Sequence, residues 1–370
     1  MLSAVRILGS KSRLLRGVME KENSYKCQMC GGNMVFDPVT QTLKCENCGT
    51  EIQIQDDGSG MVEHSLDHRA QNTVKASEKT SRTMKCNGCG AMIEVEANCT
   101  SLECPYCGSQ YVLADKQADV ALPDGVVPFV VEKKEVGNIL HKWLEKRWLA
   151  PSSLKNLFQS GKMDGIYLPY FTFDAKATAT YTGEGGRVRV EHYKDSEGHD
   201  QTRKHTDWYQ TSGILHMNFD DILVTASDKM PKKLLSALTF DTKHVKPYDP
   251  EYLSGFRSEV LTRDLSDAHK EASDIMQSRL QNEAHNDICA RYDAARNVVV
   301  HPTYSDETYR HILMPIYCGS YIFKGKTYTV CLNGQTGSIS GEYPKSPLKI
   351  LFLILLAIIL FALFYMFINN

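Results

Sequence analysis

Eight of the twelve cysteines fall into two runs of identical spacing, and no other feature limits the folding of this chain so tightly. Cys27, Cys30, Cys45 and Cys48 read C-x2-C-x14-C-x2-C, and Cys86, Cys89, Cys104 and Cys107 repeat the pattern 59 residues later. A two-residue gap lets both sulfurs of a tight turn face one metal ion. Glycines after the second cysteine (Gly31 and Gly32, Gly49, Gly90, Gly108) supply positive φ and amides aimed at the thiolates. MVFDPVTQTLKC and MIEVEANCTSLEC each read as strand, polar turn and strand, the hairpin that carries one turn over the other. Two rubredoxin-like zinc ribbons are therefore expected, at 25–54 and 84–115, each with one structural zinc held by four cysteines. Four thiolates close the coordination sphere, so the metal would support folding and would not catalyse. Cys99 falls in the second hairpin's turn, and Cys289, Cys318 and Cys331 read as small buried hydrophobes.

From Ile350 to Ile368 nineteen residues run without a charge or a helix breaker, fifteen of them Leu, Ile or Phe. At about 1.5 Å per residue the run covers roughly 28 Å, close to the hydrocarbon thickness of a bilayer. Those fifteen side chains favour insertion by about 5 to 9 kcal/mol. A transmembrane helix over 348–368 is expected, with the bilayer contacted through 350–368. Lys345 and Lys349 precede it and no charge follows, so the positive-inside bias predicts a single-pass, tail-anchored cell-membrane protein with most of the chain cytoplasmic and the C-terminus outside. That topology argues against a disulfide framework for the cysteines. The segment 1–24 carries basic residues among leucines but neither a long apolar stretch nor a cleavage site, and reads as a solvated basic extension.

The chain as a whole, 370 residues with 42% apolar and 23% charged residues and a net charge of −2, cannot be a disordered chain and offers no global field for a polyanion. Neither ribbon is basic: Lys26 and Lys44 face Asp37, Glu46 and Glu51 in the first, and Lys85 stands against Glu94, Glu96 and Glu103 in the second. Phosphate binding relies on clustered cations, so protein contact is expected of the ribbons and nucleic-acid binding is the alternative. Residues 55–83 are polar and read as a linker that lets the ribbons move independently, with His64 and His68 solvated.

An α+β domain is expected over 116–345. Val136, Ile139, Leu140, Trp143, Leu144 and Trp148 mark an amphipathic helix ending near Ala150, before Pro151; a longer one runs from Ser266 to Tyr292, and a short one from Pro231 to Leu238. From Phe171 to Tyr181 the odd positions are apolar or small and the even ones polar, a half-buried strand. TYTVCL, NGQTG and SISG read as a hairpin turning at Asn333 and Gly334. ILMPIY at 312–317 echoes IYLPYF at 166–171. Asp220 and Asp221 read as a cap, and His192, His199 and His205 as part of a solvated loop. GSKS at Gly9 and the G-x5-GKT of Gly319 to Thr327 do not meet the phosphate-loop spacing, and no nucleophile is set with its base; no catalytic residue and no enzymatic activity are expected.

The paired ribbons, GIYLPYFTFDA, FDDILVTAS, VKPYDPEYLSGFRSEV, HILMPIYCGSYIFKGKTYTVCLNGQTG and the final apolar run together resemble a family of bacterial membrane-anchored proteins with zinc ribbons of the TFIIB type, often labelled "primosomal protein N′ (replication factor Y), superfamily II helicase". Where that family more often has Trp, this sequence has Phe171. The resemblance implies an adaptor or anchor that brings PspA-type and SPFH-type (flotillin-like) membrane-stress proteins to the cytoplasmic membrane, with all eight ribbon cysteines as metal ligands. The helicase label finds no support, since the phosphate loop is missing.

Overall fold

The computed structural model describes residues 25–55, 60–67, 81–85, 92–96, 99–103, 110–112, 122–151, 163–194, 196, 198–228 and 230–368. The expectations for 1–24, Gly9 and His68 lie outside these residues. The first ribbon is a three-stranded antiparallel sheet of β1 (Met34–Asp37), β2 (Thr42–Cys45) and β3 (Glu51–Gln53). Then come β4 (His64–Ser65), β5 (Ser81–Lys85), β6 (Met92–Glu96), β7 (Cys99–Glu103), β8 (Gln110–Val112), β9 (Gly125–Val126) and helix α1 (Lys133–Glu145). Cys99 thus begins a strand instead of sitting in a turn.

Two very long strands follow, β10 (Asp164–Lys194) and β11 (Asp200–Thr225), then α2 (Lys232–Leu235), β12 (Lys246–Pro247), β13 (Arg257–Glu259), the 25-residue α3 (Leu265–Cys289), and a third long strand, β14 (Ala294–Phe323). β15 (Lys326–Asn333), β16 (Ile339–Gly341) and α4 (Pro347–Ile368) complete the chain. β10 lies between β11 and β14, antiparallel to both. Its 31 residues, roughly 100 Å when extended, pass through three environments that its sequence anticipates. Tyr167–Phe173 is continuously apolar but for Thr172 and is covered on both faces; Ala175–Tyr181 alternates and is covered on one; Arg187–Lys194 is exposed on both. His192 and His205 therefore lie on paired strands of an exposed hairpin, not in a loop.

Over the alternating part lies α3. Ala268, Ala272, Met276, Leu280, Ala284 and Ile288 on the helix pack against Phe173, Ala175, Ala177, Ala179 and Tyr181. Small residues on both partners bring helix and sheet close, and the two periodicities, 3.6 and 2, meet along one seam. On the opposite face Leu168, Tyr170, Ile312, Met314 and Ile316 form a second core under Leu234, Leu235 and Leu238. The echoing segments 166–171 and 312–317 are paired strands, with Tyr167 opposite Pro315 and Pro169 opposite Leu313.

The third core joins the first ribbon to the domain. Met34, Phe36, Leu43, Cys27 and Cys45 share one cluster with Phe129, Leu140, Trp143, Tyr167 and Tyr317. Phe36 N–H donates to Ser254 O at 2.9 Å and Ser254 Oγ donates to Met34 O at 2.8 Å. The Phe129 ring stacks on Phe256 at 4.0 Å. The expected mobile module is therefore a docked one, because its inner strand face is apolar and the domain supplies the cover. Part of the expected linker is docked as well: β4 pairs with β14, and the half-buried His64 bonds to Asp124 at 2.7 Å.

α1 stops earlier than its apolar spacing suggests, leaving Trp148 beyond the helix and 49% exposed. The β15–β16 hairpin forms, but its loop runs over 334–338 and the left-handed residue is Gly337, at φ 73°. Asn333 caps that loop, its Oδ1 accepting from the Gln335 and Thr336 amides. Cys331 is buried and Cys318 half-buried beside it, whereas Cys289 is exposed at the end of α3.

Candidate functional site

In the first ribbon the knuckles are built by backbone geometry that only glycine adopts readily. Gly31 and Gly49 take φ of 73° and 75°, and their amides donate to Cys27 O and Cys45 O at 2.8 and 3.0 Å. Gly32 is required for space instead: a Cβ there would stand 3.1 Å from Cys45 Sγ and 2.7 Å from Asn47 Nδ2. The four sulfurs of Cys27, Cys30, Cys45 and Cys48 consequently lie within 4.8 Å of one another. Cys27 Sγ is 3.6 Å from Cys48 Sγ, and Cys30 Sγ is 3.4 Å from Cys45 Sγ. A tetrahedral ion with bonds of about 2.3 Å needs sulfurs about 3.8 Å apart, so the cluster accepts such an ion with shifts of a few tenths of an ångström.

Burial and charge fit a metal ion as well. Cys27 and Cys45 face the core, whereas Cys30 and Cys48 face solvent. The Thr50 hydroxyl, 3.1 Å from Cys48 Sγ, and the Thr50 amide bring the Cys48 thiol down to about 6. The Gly32 amide pulls Cys30 the same way, but the Cys48 and Cys45 sulfurs outweigh it and push Cys30 up to about 12. Four thiolates so close cannot all ionise without a cation among them.

The second ribbon's cysteines, Cys86, Cys89, Cys104 and Cys107, lie outside the described residues, but the strands that flank them do not. In the first ribbon Lys26 bridges Asn33 and Lys44 pairs with Glu51; Lys85 pairs with Met92 and Glu103 with Gln110, each partner 59 residues on. The register of the strands that flank the two cysteine runs is thus repeated. β7 also pairs with β13, which pairs with β10, so the strand Cys99–Glu103 is tied to the central sheet.

A second set of acids comes together at a bulge. Asp174, Asp220 and Asp221 lie within 4.8 Å of one another, and Asp221 takes φ of 51°. Asp221 N–H donates to Asp174 Oδ1 at 2.6 Å, and the buried Arg310 guanidinium pairs with the Asp221 carboxylate. Asp221 is therefore an internal ion-pair partner, not a cap. Burial raises the Asp174 carboxyl above the usual range, and the neighbouring Asp221 charge adds to this.

Spacing did not point to the third feature. Among the described residues β11 pairs with β10 alone, so one edge of a 26-residue strand is open. Its segment 208–219 contains no Asp, Glu, Lys or Arg. Edges of soluble sheets ordinarily carry charge, proline or a cover that blocks further pairing. Where the edge reaches 220–225 it forms the floor of a groove of about 510 Å³ between α2 and α3, with Leu223, Phe240 and Ile275 inside and Lys233, Lys243 and Arg279 at its rim.

Among curated proteins the chain is similar to an uncharacterized protein, YdjG of Bacillus subtilis (strain 168), 25% identical over 329 residues, which is 88% of this chain and 92% of that one. No protein-family model matches, and neither does any solved structure.

Proposed function

We propose that this chain is a non-enzymatic scaffold, held at the cytoplasmic face of a membrane by α4 and stabilised by one zinc in each ribbon, that recruits cytoplasmic proteins to that membrane. The reading extends to the membrane-stress response, with PspA-type and SPFH-type proteins as partners. The observation that carries it is the charge-free segment 208–219 of β11, whose outer edge is unpaired among the described residues: main-chain donors and acceptors in a row are a template for an added strand. The four-sulfur cluster supports zinc, since four thiolates at tetrahedral distances suit that ion and leave no position for a substrate. The repeated pairing register supports a second such site at Cys86, Cys89, Cys104 and Cys107. α4 is long and apolar enough to cross a bilayer, and Lys345 and Lys349 on its N-terminal side support the cytoplasmic orientation.

The test is co-purification from mild detergent, comparing the wild type, an Ile214→Lys/Asn218→Lys edge variant, and a variant with Ser at Cys27, Cys30, Cys86 and Cys89. Both edge positions are solvent-exposed, so lysine there blocks pairing and leaves the core alone. Membrane-stress proteins are expected with the wild type and absent from the edge variant. Loss from the cysteine variant alone moves the contact to the ribbons. Retention by both variants refutes strand addition and ribbon contact alike, and recovery of nucleic acid alone replaces the scaffold with a nucleic-acid-binding role.

A further inference from the structure

The chain enters α4 through a fixed joint. Ser346 N–H donates to Leu149 O at 2.8 Å, and Lys349 Nζ donates to Trp148 O and Ala150 O, each at 2.8 Å. Tyr343 meets Trp143 edge-on at 5.9 Å, and the Arg147 guanidinium lies over the Trp143 ring at 4.7 Å. The first turn of α4 and the corner after α1 are therefore one unit. Lys349 is the last charge before the apolar run, so its ammonium group belongs at the level of the lipid headgroups. The carbonyls it grips lie at that level too.

What the corner exposes there suits a lipid surface. Trp148 is 49% exposed. Lys142 and Lys146, before it in the chain, and Lys345, which precedes α4, are exposed and have no carboxylate partner among the described residues; of the acids near these lysines in sequence, Glu145 faces His141 at 3.6 Å and Glu342 is exposed. An indole prefers the interfacial layer, and each lysine near an anionic leaflet adds attraction within a Debye length.

We infer that the corner 146–150 is a second membrane contact, in which Trp148 enters the headgroup layer and Lys142, Lys146 and Lys345 hold anionic phospholipid headgroups. This sets the domain at a fixed tilt to the bilayer instead of leaving it on a loose tether. The inference rests on reading α4 as a membrane span.

The test uses the full chain with Trp143→Phe and Trp208→Phe, which leaves Trp148 as its one indole, reconstituted into vesicles of phosphatidylcholine or of equal parts phosphatidylcholine and phosphatidylglycerol. Lipids spin-labelled near the headgroup or at the chain end act as quenchers. The expected result is a blue-shifted emission, quenched at least about twofold more by the shallow label than by the deep one, as the interfacial preference of indole requires. Quenching should be greater with phosphatidylglycerol, and Lys142→Glu/Lys146→Glu should abolish that increment. The quenching lost between wild type and Trp148→Ala reads the same contact without altering the core. Water-like, unquenched Trp148 in a protein that floats with the vesicles overturns the inference and leaves the span intact. A protein that does not float overturns the span, and the inference with it.

Discussion

Phe36→Ala is the sharpest probe of how the first ribbon is held. Phe36 is 3% exposed and lies 5.4 Å from the Tyr252 ring and 6.5 Å from the Phe256 ring, so the side chain fills the joint between ribbon and domain. Truncating a phenylalanine in such a core costs about 3 to 5 kcal/mol, a large share of a typical total stability of about 5 to 15 kcal/mol. At roughly 2 °C per kcal/mol for a domain of this size, the midpoint should fall by about 6 to 10 °C. The assay is a thermal scan of the full chain in mild detergent, following tryptophan emission and metal release to a chromogenic chelator together. Trp143 lies in the same core cluster as Cys27 and Cys45, so the two signals should fall together. Val39→Ala, at a site 61% exposed, should move neither by more than about 0.5 kcal/mol. Metal released early while the tryptophan midpoint stays in place would refute the shared core and restore an independent module.

Three further outcomes are expected. Native mass spectrometry should count two zinc ions per chain and one in a Cys27→Ser/Cys30→Ser variant; a variant that still holds two would remove the first site from the account. His311 is buried beside Phe171, and its imidazole is held down to about 4 by burial. Its folded value lies below the unfolded one of about 6.5, so stability is complete above that pH and falls as pH drops towards 4, by about 3 kcal/mol from this group; His311→Phe should flatten that part of the pH profile of denaturant unfolding, and an unchanged slope would count against it. Arg310→Met leaves the Asp221 and Asp174 carboxylates without their buried cation and should cost about 3 to 5 kcal/mol, recovered in large part by adding Asp221→Asn; equal losses in the single and double variants would show that the charge is not the cause.

Local chemistry was legible where neighbours in sequence make the feature. The C-x2-C turns with their glycines, the seam of Ala268, Ala272, Met276, Leu280, Ala284 and Ile288, and the alternation through Ala175–Tyr181 all follow from spacing, because a helix and a strand each repeat at their own period. Asp221 and Trp148 depart from their local pattern for the opposite reason. Asp221 looks like a cap until Arg310, 89 residues away, supplies its partner across β10. Trp148 fits the apolar face of α1 until the helix stops at Glu145, and its carbonyl is then held by Lys349, 201 residues on.

From the sequence alone came the two cysteine runs, the apolar segment that follows Lys349 and the element types of the domain between them, since each depends on residues a few positions apart. Tertiary structure decided that the first ribbon is docked, that β11 pairs on one edge alone among the described residues and that α4 begins at a fixed joint. Each of these depends on which surfaces meet across long stretches of chain. Phe36 carries no mark of Phe256, and β11 none of its pairing with β10; burial of apolar faces and closure of hydrogen-bond ladders settle such pairings only once the whole chain is assembled.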